Sequence, residues 1–227
     1  MARLDRLQII GEMAAGIAHE IRNPMTTVLG YLQLFQKKTQ MVDYQESFSM
    51  MANELLRANA IITEFLSLAK NKVFTPAYLD LNQIIMCLYP LVNAEALMQD
   101  KIISIELTES LPLILLDENE IRQVVLNLTR NGLQAMNKGI LHIRTYIENG
   151  SVFLAIKDHG PGIPKDVQSK IGTPFFTTKT TGTGLGLPVC YNIAARHKAE
   201  LKFATGDDGT TFFLIFGPDT VMERSKP

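Results

Sequence analysis

Two different rhythms of hydrophobic residues divide this chain of 227 residues. In the first, Leu4, Leu7, Gly11, Ala14, Ala18, Ile21, Met25, Val28, Leu32 and Phe35 recur in alternating steps of three and four. That spacing predicts a helix with a heptad seam running to Lys38. After a turn near residues 40–43, Phe48, Met51, Leu55, Ala58, Ile62, Phe65 and Ala69 repeat the rhythm. Ile10, Ile17, Leu29, Ile61 and Leu66 widen both stripes beyond what one helical hairpin can bury. Two copies in an antiparallel four-helix bundle would bury them, so a homodimer is expected.

The second rhythm alternates strands and helices. A helix is expected over 82–99, then strands over 102–107 and 113–116. Asp117 followed by Glu120 reads as a helix N-cap with an acid three residues on, opening a helix to about Asn137. Strands over 140–148 and 152–158 flank Asn149-Gly150, a hairpin turn signal. Residues 159–184 show no periodicity and hold five glycines and three prolines; structureless segments that long are usually functional lids or disordered. A helix over 185–197 and strands over 201–205 and 211–216 complete a mixed-sheet α/β sandwich. The expected fold is therefore α+β in two domains, 1–74 helical and 75–227 mixed. Glycine and proline follow the same division, with 4 in residues 1–72 and 21 in the remaining 155.

Composition narrows the function by exclusion. Hydrophobic residues make up 46% and no like-charge block occurs, which rules out a disordered chain. A net charge of −1 argues against nucleic acid as a partner. The longest nearly apolar stretch, 84–92, is too short to span a bilayer and contains Pro90. No signal-peptide pattern opens the sequence, so a cytoplasmic segment without membrane contact is expected. Cys87 and Cys190 lie far apart and are expected to be packed thiols in a reducing compartment.

With Ala18 at heptad position a, His19, Glu20 and Asn23 fall at b, c and f, facing away from the seam. A lone histidine there is ordinarily a surface residue. Pro24 changes that reading, because a mid-helix proline removes a hydrogen bond and strains the turn before it, at a cost of about 3 kcal/mol. A neutral imidazole can act as a nucleophile, and Glu20 could accept one ring N–H and fix the tautomer. Asn23 lies one turn on and could orient a water or a phosphoryl oxygen.

The mixed domain lacks the Walker phosphate loop. Gly182, Thr183, Gly184, Leu185, Gly186 and Leu187 resemble a dinucleotide fingerprint, but the last glycine is misplaced and no strand precedes them. A glycine-rich turn opening a helix remains, and its free N–H groups can cradle an anion. Asp158 ends a strand and precedes Gly160 and Gly162; its carboxylate, an acceptor, would suit the exocyclic amine of adenine. The alternative for Asp158 is a turn cap, and spacing alone leaves that contest even. Asn127 and Asn131 stand one turn apart on an otherwise apolar helix. Paired amides there usually serve packing, but the Asn131 oxygen could also help hold Mg²⁺ among phosphates and waters.

Together these residues resemble the transmitter of a two-component sensor histidine kinase over nearly the whole chain. Five motifs stand in that family's order. Ala18, His19, Glu20, Ile21, Arg22, Asn23 and Pro24 match the phosphoacceptor box. Residues 127–131 match the asparagine box, 158–162 the first glycine box, 175–179 the phenylalanine box and 182–187 the second glycine box. The resemblance implies that His19 takes the γ-phosphoryl group of ATP, Glu20 assists as general base, and Asn23 serves the reverse phosphatase reaction. It implies that Asn131 binds Mg²⁺, that Asp158 reads adenine, and that a lid with Phe175, Thr178 and Lys179 closes over the phosphates. Gly132 departs from the family's usual alanine and is expected to loosen its helix, by roughly 1 kcal/mol against alanine.

The implied nucleotide fold is shared with type II topoisomerases, heat-shock chaperones and mismatch-repair ATPases. Those hydrolases place a glutamate base where Asn127 stands, which favours a kinase over an ATPase here. The wording around His19 and Phe175 is similar to sporulation sensor kinases of Gram-positive spore formers. That implies a response-regulator receiver domain as phosphoryl acceptor, and small antikinase proteins that bind the bundle. A sensor region, often membrane-associated, is expected to precede such a transmitter. The alternative reading is an ATP-binding phosphotransfer or scaffold protein acting mainly as a phosphatase or inhibitor-binding module.

Overall fold

The computed structural model describes residues 21–37, 39–69, 74–179 and 182–222, which fall into two compact units divided between residues 72 and 73. In the first unit, helix α1 occupies residues 21–36 and α2 spans Gln45–Ala69, joined by a 3₁₀ segment, Thr39–Tyr44, that kinks at Met41. Where the heptad pattern predicts a helix to Lys38, α1 ends in a turn closed by the Lys37 N–H on the Leu34 carbonyl, 3.3 Å. The helices face each other as a hairpin. Phe35 lies against Phe48 with ring centroids 5.7 Å apart, and Arg22 Nε donates to Asn59 Oδ1 at 3.0 Å. Leu32 and Ala52 are buried, whereas Ile21, Val28, Tyr31, Leu34, Met50, Met51 and Leu56 stay exposed. Ile21, Val28 and Met51 belong to the stripe read from the sequence, so one hairpin leaves part of that stripe in water.

The second unit is built on a five-stranded sheet. Its strands are β2 (Lys101–Leu107), β4 (Gly139–Glu148), β5 (Ser151–Lys157), β6 (Ala199–Gly206) and β7 (Gly209–Phe216), in the order β2-β4-β5-β7-β6. Only the β2–β4 pair is parallel. A separate antiparallel pair joins β1 (Ala77–Leu79) to β3 (Ile114–Leu116). Helices α3 (Leu81–Leu97), α4 (Glu118–Ala135) and α6 (Gly186–Arg196) supply most of the remaining buried apolar residues. Strand periodicity turns Ile103, Leu141, Ile143, Leu154, Ile156, Leu214 and Phe216 inward, and all seven are buried. The β4–β5 turn has Asn149 and Gly150 both at positive φ, 50° and 77°, as a two-residue hairpin turn of the primed type needs.

Helix starts follow their caps. Asp80 accepts from the N–H groups of Asn82 and Gln83, which starts α3 one residue earlier than expected. Pro90 sits inside α3 at an exposed position, where the helix can dispense with the hydrogen bond that a proline cannot donate. Asp117 caps α4 through Oδ1 on the N–H groups of Asn119 and Glu120, while Oδ2 accepts from Thr75 N and Oγ1. The acid three residues on is used differently. Glu120 is buried and pairs with Arg196 Nη1 at 2.6 Å, while the Asp117 N–H goes to His197 Nε2 at 2.9 Å. With Nδ1 placed on the Ile193 carbonyl at 2.8 Å, the Nε2 lone pair is the acceptor and His197 is neutral. Burial pushes its pKa down, against the pull of the Ile193 bond and Asp117.

Two further expectations need correction. Cys190 is buried but Cys87 is exposed on α3, so only one thiol is packed. The aperiodic segment after β5 also contains a one-turn helix, α5 (Lys165–Gln168), started by Pro164.

Candidate functional site

Asp158 follows the last residue of β5 and is buried. Its Oδ1 accepts from Gly160 N at 2.9 Å and Thr210 N at 3.2 Å, and its own N–H continues the ladder to the Thr210 carbonyl. The turn-capping reading of Asp158 is therefore correct for one oxygen. Oδ2 takes part in no hydrogen bond among the described residues.

The loop after Asp158 is pressed between α4 and the β6–β7 hairpin. A Cβ at Gly160 would lie 2.8 Å from the Ala135 carbonyl oxygen. Across the loop, Thr205 Oγ1 accepts from Ile163 N at 2.8 Å and lies 2.9 Å from Thr210 Oγ1. Gly209 has φ of +116°, and a Cβ there would come within 2.0 Å of the Asp158 carbonyl oxygen. Thr205, Gly209 and Thr210 thus position Asp158 although none belongs to a motif. Their only signal in the sequence is a hairpin turn, about fifty residues away.

On α4, Asn127 and Asn131 are half-buried. Asn127 Nδ2 donates to the Gly186 carbonyl at 3.3 Å, tying α4 to the start of α6. Asn131 meets a cation: Lys179 Nζ lies 3.4 Å from both its Oδ1 and its backbone oxygen, and 2.9 Å from Gln134 Oε1. Burial lowers the Lys179 pKa, and the Asp158 charge opposes that shift. Gly132 does more than loosen α4. A Cβ there would stand 2.4 Å from Leu141 Cδ1 in the core and 3.4 Å from Asp158 Cβ. Alanine's gain in helix propensity would be opposed by displacement of a fully buried leucine.

The phenylalanine and second glycine boxes meet. Phe175, exposed and at φ 65°, donates its N–H to the Gly184 carbonyl at 3.1 Å. Gly182 N bonds to the Lys179 carbonyl, Lys179 N to Thr177 Oγ1, and Leu185 N to Thr183 Oγ1. Thr178 is exposed beside them. Helix α6 begins at Gly186 with no side-chain cap, so Gly186 and Leu187 present first-turn N–H groups and Pro188 has none to present. Uncapped amides at a glycine-flanked helix start favour an anion.

Asp158, Gly132 and Lys179 are thus neighbours, Asn131 meets Lys179, and Asn127 reaches the glycine turn. Among the phosphoacceptor residues, Asn23 is exposed on α1, beside Pro24. Thr27 Oγ1 donates to the Asn23 carbonyl at 3.2 Å, one turn further along the helix. His19 and Glu20 lie outside the described residues. No helix among the described residues is long and apolar enough to cross a membrane.

Comparison with known proteins agrees for both units. Residues 9–72 match the His Kinase A (phospho-acceptor) domain, and residues 116–220 match the histidine kinase-, DNA gyrase B-, and HSP90-like ATPase domain. Sporulation kinase C of Bacillus subtilis is 38% identical over 213 residues, covering 92% of this chain and 49% of that protein. Sporulation kinase E of the same organism is 36% identical, covering 96% of this chain and 30% of the relative. The chain therefore spans half or less of the length of these curated relatives. Among solved structures, ShkA in complex with AMPPNP superposes with a TM-score of 0.80 at 22% identity, covering 94% of this chain and 47% of that one. The kinase ThkA in complex with the response regulator TrrA gives 0.69 at 28% identity, covering 95% and 64%.

Proposed function

This chain belongs to the sensor histidine kinases, and on that premise we propose that it phosphorylates His19 from magnesium ATP and passes the phosphoryl group to an aspartate of a response regulator. The observation that carries the reading is Asp158. A buried carboxylate with one oxygen spent on backbone N–H groups and the other available is built to take a hydrogen-bond donor. Adenine offers its exocyclic amine there, while guanine offers a carbonyl oxygen and would be rejected.

The residues present also suit magnesium. Lys179 already places a positive charge on Asn131 Oδ1, so that oxygen attracts a cation. An amide is a hard neutral ligand that does not repel a triphosphate. Asn131 would hold the ion, which supplies charge neutralisation to the phosphates when bound. Gly182, Thr183, Gly184, Gly186 and Leu187 would line the phosphate path, with Phe175, Thr178 and Lys179 on the lid. In the transfer, one His19 nitrogen forms the N–P bond with its lone pair, and the P–O bond to ADP breaks with its electrons leaving on ADP. Glu20 takes the proton released by the other ring nitrogen. An amide at Asn127 cannot activate water, so the nucleotide survives until His19 reaches it.

On the same reading the first unit dimerises through its exposed apolar stripe and presents His19 and Asn23 to a receiver domain. Small antikinase proteins would use the same bundle, the segment would lie in the cytoplasm, and the pathway would be a sporulation-type phosphorelay. What supports the last point is the likeness to sporulation kinases C and E. Nothing in the site favours a scaffold without catalysis. With γ-labelled ATP the chain is expected to hold its label and release phosphate only after a receiver domain is added. A receiver with asparagine for its acceptor aspartate should collect none. Steady phosphate release without bound label would mark a hydrolase instead.

A further inference from the structure

We infer that Gln134, a residue of none of the five motifs, seats the Lys179 ammonium in the nucleotide-free protein, and that a magnesium nucleotide must unseat it. The inference rests on the reading that the Asp158–Asn131 pocket takes such a nucleotide. Three oxygens surround Nζ: Gln134 Oε1 at 2.9 Å, Asn131 Oδ1 at 3.4 Å and Asn131 O at 3.4 Å. An ammonium has three donors and no acceptor, so a triad of oxygens matches it. Asn131 and Gln134 are three apart in the last turns of α4, hence side by side on one face. The helix C-terminus there adds its negative end to the attraction.

The seat and the proposed metal site share an oxygen. Asn131 Oδ1 cannot serve the ammonium and a divalent ion at once, because the two cations would repel at contact distance. Lys179 therefore leaves as the metal nucleotide enters and is freed toward the phosphates. Gln134 holds the shortest of the three contacts yet lies outside the shared oxygen, so it decides how firmly the lid residue is held. A pocket competent only when the seat is empty shows an apparent affinity reduced by the fraction of time it is empty.

The test uses the full chain with two substitutions at an exposed helical position, both good helix formers. Gln134→Ala is expected to bind Mg·ADP about threefold more tightly by calorimetry. Amide exchange over residues 175–179 should quicken without nucleotide and match wild type at saturation. Gln134→Glu, which strengthens the seat, should slow that exchange and weaken binding. Unchanged exchange in both variants, or weaker binding by Gln134→Ala, would overturn the proposal. If wild type binds no Mg·ADP while exchange shifts as described, the nucleotide reading and the unseating step fall, and the seat alone stands.

Discussion

Asp158→Asn should lose nucleotide affinity by about 100-fold or more while keeping its fold. The substitution separates the two jobs of this side chain. Asparagine Oδ1 can still accept from Gly160 N and Thr210 N, so the loop between α4 and the β6–β7 hairpin keeps its anchor. The oxygen left for a ligand is replaced by an NH₂ group. An amine would then face another donor in a buried site, which loses a charge-assisted hydrogen bond and leaves both groups unsatisfied. Titration with Mg·ADP and a melting curve on the same sample check both halves. A melting temperature near wild type with full binding would mean Asp158 acts only as a turn cap.

Arg196→Leu is expected to cost about 3 kcal/mol of stability without touching the nucleotide pocket. Its guanidinium pairs with Glu120, whose side chain is only 5% exposed, and stacks 5.2 Å from the Phe74 ring centroid. Removing it leaves a buried carboxylate beside a neutral His197, 3.7 Å from Nδ1. The α4 N-terminus softens that penalty, since Glu120 lies in its first turn. Melting of the second unit should fall by roughly 6–12 °C, at about 2–4 °C per kcal/mol for this size. Adding Glu120→Gln to the same chain should recover most of the loss, because the stranded charge is gone. A melting point unmoved by Arg196→Leu would show that water already screens this pair.

Elements encoded by near neighbours in the chain are legible from the sequence alone. Asn149-Gly150 dictates its hairpin through two positive φ angles, and Asp117 marks a helix start through backbone N–H groups two and three residues on; Asp80 does the same for α3, a cap the sequence reading missed. The asparagine, phenylalanine and two glycine boxes of the second unit point to residues that the structure brings near one another, because each concentrates unusual residues in a short span. What escapes a reading of the sequence is set by partners distant along it. Glu120 has the spacing of half a capping box, but its partner is Arg196, 76 residues on. Thr205 and Thr210 brace the Asp158 loop through bonds that no local pattern encodes. Gly132 reads as a weak point in a helix, and only the position of Leu141 reveals the close approach it permits. Cys87 cannot be told from a packed thiol, because α3 is apolar on its exposed side as well, at Met86, Leu91 and Leu97.

If ATP bound near Asp158 is the phosphoryl donor to His19, the transfer leaves a phosphoramidate on that residue. Wild-type chain incubated with magnesium and γ-labelled ATP should acquire acid-labile, base-stable label that maps to His19, and His19→Gln should acquire none while binding Mg·ADP as tightly as wild type. Label of undiminished yield on His19→Gln would place the phosphoryl acceptor at another residue.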